Sequence, residues 1–176
     1  MAESVSMRPQ PGEYGEHAAA DIALVAGDDA VAALSAQALE VEALFGGLSE
    51  EAIAGLRYAP GKWTPKEILG HLIDDERIFA YRALCIARGD TRPLESFDEN
   101  AYMAGANFEE RTLADLLREY GAVRAATIAL FAPLPEEAWL RRGTVAGYTA
   151  SVRGLAFHIA GHELHHLRVL QDRYLS

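Results

Sequence analysis

Four histidines, His158, His162, His165 and His166, fall within nine consecutive positions near the end of the chain. On an α-helix, at about 100° per residue, all four lie on one face, within about 100° of one another. His162 and His166 are one turn apart, as are His158 and His162. Two imidazoles at i and i+4 can converge on one metal ion over the intervening turn. A metal site of this kind needs a third protein ligand, and an open position for water if it is catalytic. His71 is the natural third, on a polar stripe with Glu67, Asp75 and Arg82 at helical spacing. His158 serves as an alternative ligand or a hydrogen-bond partner of one. His165, the other half of a doublet, points to solvent, and the isolated His17 reads as a solvated residue.

The same stretch contains HExxH, His162-Glu163-Leu164-His165-His166, in which Glu163 would activate a metal-bound water. Zinc peptidases with this motif usually draw a third ligand from downstream. Here the residues after His166 include no His or Glu, and Asp172 is the last carboxylate side chain. The third ligand must come from upstream, so a peptidase is the weaker reading.

Three neutral imidazoles leave a metal's positive charge uncompensated, which favours hydroxide or thiolate as a further ligand. Two chemistries follow: attack by an activated thiol, or hydrolysis by an activated water. Asp75, Glu163 and Glu76 are candidate proton acceptors or partners of the ligands. Arg82 is placed to bind an anionic part of a substrate, unless it pairs structurally with Asp75. Cys85, the single cysteine, reads as a small core residue. Trp63, Phe97, Tyr102, Phe108 and Tyr148 occupy connections, as pocket walls or end caps; a cap is the expectation for Trp63.

Four long helices must position these groups. Asp28 or Asp29 caps the first, which runs to about Phe45 and is stopped by Gly46-Gly47. Thr64-Pro65-Lys66-Glu67 is a capping box with proline at the first helical position, opening a second helix to about Arg88. Residues 90–111 form a long connection that crosses over the fold or covers a site. Thr112 caps the third helix, to about Phe131, and Thr149 or Ser151 the fourth, to about Arg173. Two fragments repeat: "LSEEA" with "LPEEA", and "TPKEILGHLIDDE" with "SVRGLAFHIAGHE". The second pairing sets His71 against His158 and Asp75 against His162, as in two pseudo-symmetric helix pairs. The expected fold is all-α: residues 1–20 as an extended arm, and 21–176 as a single four-helix bundle with a long crossover between helices two and three.

A formal charge of −10, with no run of basic residues, argues against nucleic acid. No stretch is apolar enough to span a membrane, and no signal peptide is visible, so the cytoplasm is the expected location.

"GKWTPKEILGHLIDDERIFAYRALCIARGD", then "PLESFDENAY", then "HIAGHELHHLRVLQDRYL" together resemble the DinB-like (DinB/YfiT) superfamily of bacterial four-helix-bundle metalloproteins, over nearly the whole chain. The resemblance implies a divalent metal held by one histidine of the second helix and an HxxxH pair of the fourth, here His71, His162 and His166. Zinc heads the candidates, with nickel or iron as alternatives. It also implies a homodimer and a small-molecule substrate. Some relatives are S-transferases or isomerases that use a low-molecular-weight thiol as co-substrate. The expected function is thus a metal-dependent thiol S-transferase or hydrolase; the competing reading is a non-catalytic, metal-binding, dimeric stress-response protein.

Overall fold

Each long helix begins on a side chain that accepts a hydrogen bond from an otherwise unpaired backbone N–H. In the computed structural model, which describes residues 7–176, Asp29 caps α2 (Ala30–Gly46), Thr64 caps α4 (Pro65–Ala87), Thr112 caps α6 (Leu113–Phe131) and Ser151 caps α8 (Val152–Tyr174). The Thr64–Glu67 capping box is formed in both directions. A short helix, α1 (Ala19–Ile22), precedes them, and α3 (Glu50–Ile53), α5 (Glu99–Gly105) and α7 (Glu136–Trp139) lie between them. The expected all-α bundle is observed, with one addition: a hairpin of β1 (Arg142–Val145) and β2 (Tyr148–Ser151). Its two-residue loop has Ala146 and Gly147 at positive φ, as a primed turn between twisted strands requires.

Helix α4 packs on α8 and α6, and α2 packs on α6 and α8, so the ring order is α2, α6, α4, α8. Residues 88–112, the long connection, therefore join neighbours. The diagonal crossings are made by residues 47–64 and 132–151. The long connection carries α5 and is tied to the hairpin, where Leu94 donates to the Thr144 carbonyl and accepts from Ala146 N–H.

The N-terminal arm is not extended throughout. Residues 1–6 lie outside the described residues, and a 3-10 turn at Glu16–Ala18 leads into α1, which spans the expected boundary at residue 20. The arm is pinned by Glu13, fully buried, whose carboxylate accepts from Arg153 of α8 at 2.7 Å. At Gly154 a Cβ would lie 2.0 Å from the Glu13 carbonyl oxygen, so only glycine lets the arm lie this close to α8.

One arginine ties all four long helices. Arg124 of α6, 1% exposed, donates to Glu76 of α4, to Glu163 of α8 and to the Leu34 carbonyl of α2. Tyr120 also donates to Glu163, at 2.8 Å. Burial of a guanidinium this deep demands such complete partnering.

Candidate metal centre

Helices α4 and α8 each span 23 residues and run antiparallel along the face that carries the histidines. His71 meets His162 with their Nε2 atoms 2.9 Å apart. His166 completes the group, its ring centroid 4.9 Å from that of His71 and 4.5 Å from that of His162. One ring nitrogen from each of the three lies within 4.8 Å of the others. At metal–nitrogen distances of about 2.0–2.1 Å, the nitrogens of a tetrahedral site sit roughly 3.3 Å apart, so small side-chain adjustments bring these three to ligand spacing. The donor set fits a divalent transition metal.

The repeat explains the rest of the interface. Shifting α4 onto α8 in register maps His71 to His158, Asp75 to His162 and Phe79 to His166. The His71–His162 contact then maps onto His158–Asp75, observed at 3.7 Å between Nε2 and Oδ2. His71–His166 maps onto His158–Phe79, stacked at 3.7 Å between centroids. The two helices thus cross with pseudo-twofold symmetry. One half of the crossing gathers three imidazoles; the other has an aspartate and a phenylalanine in place of two of them.

The electrostatics follow from burial and these neighbours. Burial, reinforced by His162, pushes His71 down to about 4 and His166 down to about 2, so both rings are neutral. His162 moves up, because Asp75 and Asp21 outweigh its burial. Burial alone would raise Asp75, but His162, His158 and His71 hold it down to about 2. Burial keeps His158 below the ordinary histidine value despite Asp75. Two neutral imidazoles, His71 and His166, thus sit with His162 beside a permanent carboxylate, an environment that favours a cation.

Several expected residues are elsewhere. Glu163, one position after His162, points roughly 100° away around the helix into the Arg124 network, and Glu76 joins it there. Among the described residues neither makes an ion pair with a histidine; both carboxylates are engaged by Arg124 instead, which speaks against the proton-acceptor role expected of them. Among the described residues Arg82 pairs with no carboxylate, Asp75 included; it donates to the Glu95 carbonyl instead. Cys85 is half-buried rather than in the core. His165 is exposed, as expected, and His17 is exposed with its ring edge on Tyr148. Trp63 is a wall rather than a cap: its ring lies 4.7 Å from His71 and 6.4 Å from His166. Phe108 is core, packed over Gly70.

Two carboxylates at the site escaped the sequence reading. Asp21 of α1 lies 3.2 Å from His165 Nδ1 and 3.7 Å from His162 Nδ1. It sits in a four-residue helix, too short to show a period. Gly161 admits it, since a Cβ there would lie 2.4 Å from the Asp21 carbonyl oxygen. Glu99, half-exposed, places Oε2 3.9 Å from His71 Nε2. Its signal was the Asp98 N-cap that opens α5 over the site. Glu99, Trp63 and His166 line a cavity of about 260 Å³ beside the three rings.

No curated protein sequence matches this chain. Among solved structures it is similar to YfiT from Bacillus subtilis, described as a probable metal-dependent hydrolase with an unusual four-helix bundle topology. The TM-score is 0.74 at 14% identity, covering 81% of this chain and 82% of that one. The profile of the DinB superfamily matches residues 33–170, and the chain belongs to that superfamily.

Proposed function

We propose that the protein is a metal-dependent enzyme of the hydrolase type, in which His71, His162 and His166 hold a divalent transition metal. The observation that carries this reading is the convergence of three buried or half-buried imidazoles within 4.8 Å at the edge of an open cavity. The description of YfiT as a probable metal-dependent hydrolase supports the choice of water over thiol. A metal so held would acidify a coordinated water towards neutral pH.

The chain's own groups divide the remaining work. Asp75, with its pKa near 2, is too weak a base to take a proton at neutral pH. It offsets positive charge in the cluster and faces His158 Nε2, a buried nitrogen with no hydrogen-bond partner among the described residues. Glu99 is exposed to both the cavity and His71, so its carboxylate is the proton acceptor we assign. Trp63 shields the His71 and His166 rings from bulk water on one side.

The test is elemental analysis of protein purified without a nickel column, for wild type and His162→Ala, alongside a panel of ester, amide and phosphoester substrates. Stoichiometric metal lost in the variant, with metal-dependent hydrolysis in wild type, is the expected result. Full metal content in His162→Ala overturns the site. Conjugation of low-molecular-weight thiols without any hydrolysis would overturn the choice of water.

A further inference from the structure

Arg82 is 4% exposed, yet among the described residues no carboxylate lies within ion-pair distance of it. Its one hydrogen bond runs from Nη2 to the Glu95 carbonyl at 2.5 Å. The guanidinium lies over the rings of Phe79 and Phe97, at 4.8 and 5.7 Å from their centroids. A guanidinium carries five N–H donors, so four have no acceptor among the described residues. Nε and Nη1 are not among the sealed polar atoms that lack a partner, so both remain reachable from outside. Asp75, two turns earlier on α4, is committed to the histidines.

Arg82 borders a cavity of about 550 Å³, whose apolar lining comes from Ile78, Tyr81, Leu94, Phe97 and Tyr102. Arg77 and Arg92 also line it, but each has its own carboxylate, Glu119 at 2.5 Å and Asp90 at 2.6 Å. Glu95, exposed, also lines the cavity but meets Arg82 through its backbone carbonyl, so Arg82 is a buried cation beside an aromatic wall with no carboxylate among the described residues within ion-pair distance. A buried charge left without a counter-ion is unfavourable, and a guanidinium fork matches a carboxylate or phosphate in two parallel hydrogen bonds.

The cavity adjoins the histidine site. Phe79, beneath Arg82, stacks on His158, and α5 supplies Tyr102 to the cavity and Glu99 to His71. Arg82 shares the face of α4 that carries His71, three turns and about 16 Å of helix rise away. We propose that Arg82 is the anion anchor of a substrate pocket, and that the ligand is an elongated organic anion with an apolar body. Its negative group sits on Arg82, its body lies along Phe97 and Tyr102, and its far end reaches the histidines. The role as substrate anchor rests on the metal-site reading above; the preference for anions does not.

The experiment is calorimetric titration of the protein as purified with 1-naphthylacetate and its neutral counterpart 1-naphthylacetamide. Wild type is expected to bind the carboxylate at least tenfold more tightly. Arg82→Gln should bring the ratio close to one. Should that variant misfold by circular dichroism, Ser96→Asp, an exposed substitution on the cavity wall, should cut the ratio severalfold instead. His166→Ala should keep the preference, because the anchor is separate from the metal ligands. A wild-type ratio near one overturns the proposal, as does a ratio unchanged in the Arg82 and Ser96 variants or abolished in His166→Ala. Metal content measured on the same samples separates the two readings: wild type without metal but with an Arg82-dependent preference defeats the metal site alone.

Discussion

Arg124 of α6 and Glu163 of α8 form an ion pair at 2.6 Å with both side chains 2% exposed, and this pair turns Glu163 away from the histidine that precedes it. Glu76 shares the same guanidinium. Removing the arginine leaves two carboxylates facing each other in the interior. Arg124→Met is expected to lose about 3–5 kcal/mol of stability, the scale for breaking a buried pair, as read by urea denaturation. Glu163→Gln keeps hydrogen-bonding partners for Arg124 and Tyr120 and should cost less. It should also retain full metal content, and hydrolysis within about twofold of wild type. A collapse of activity with the fold intact would return Glu163 to the role that HExxH suggests.

Asp21 bridges His162 and His165 from a segment that sequence places far from both. A carboxylate beside the remote nitrogen of a metal-bound imidazole orients the ring and raises its basicity. Losing such a partner typically costs about 10–100-fold in metal affinity. Asp21→Asn is expected to show a loss in that range by chelator competition, with little change in melting temperature. Gly161→Ala should lower both, since its new methyl group collides with the Asp21 backbone. Unchanged affinity in Asp21→Asn would reduce the contact to a surface ion pair.

Glu13 gives the fold an acid sensitivity. Burial alone would raise its pKa, but hydrogen bonds from Arg153 and the Gln10 N–H lower it below the ordinary glutamate value. A carboxyl group with a lowered pKa in the folded state adds stability that is complete above its unfolded value, about 4.3. That stability is lost as pH falls through the lower folded value. Wild type should therefore destabilise below about pH 4.3. Glu13→Gln should be less stable at neutral pH, by about 1–3 kcal/mol, and its stability should fall less steeply with acid. Parallel curves for the two proteins would show that Glu13 titrates normally.

The caps, the four long helices and the histidine cluster were all legible because each has a local period or a fixed offset. Thr64 and Glu67 announce a helix start within four residues, and His162 and His166 declare a shared face. The repeat carried more: it predicted which residues of α4 and α8 are equivalent, and the pseudo-twofold contacts obey it. What stayed hidden depends on third elements. Nothing near Glu163 in sequence reveals that Arg124 will claim it. Asp21 reaches the site through Gly161, a close approach that no single segment encodes. The hairpin escaped because its strands are four residues each and lack a clear alternation of apolar and polar side chains.

Gly70, the residue before His71, sets two effects of opposite sign against each other. In a helix interior alanine is favoured over glycine by about 1 kcal/mol. At this position a Cβ would lie 2.4 Å from the ring of Phe108, which is buried and cannot swing away as the end of a flexible chain could. Overpacking of this kind typically costs about 1–3 kcal/mol, so the clash should win. Gly70→Ala is therefore expected to be destabilised, and the displaced ring should disturb the adjacent His71 enough to weaken metal binding. In a Phe108→Ala background the same substitution meets no ring and should become neutral or stabilising. A double-mutant cycle by urea denaturation measures the coupling directly. A coupling energy near zero would mean that Phe108 does not press on α4, and that glycine at position 70 serves no packing purpose.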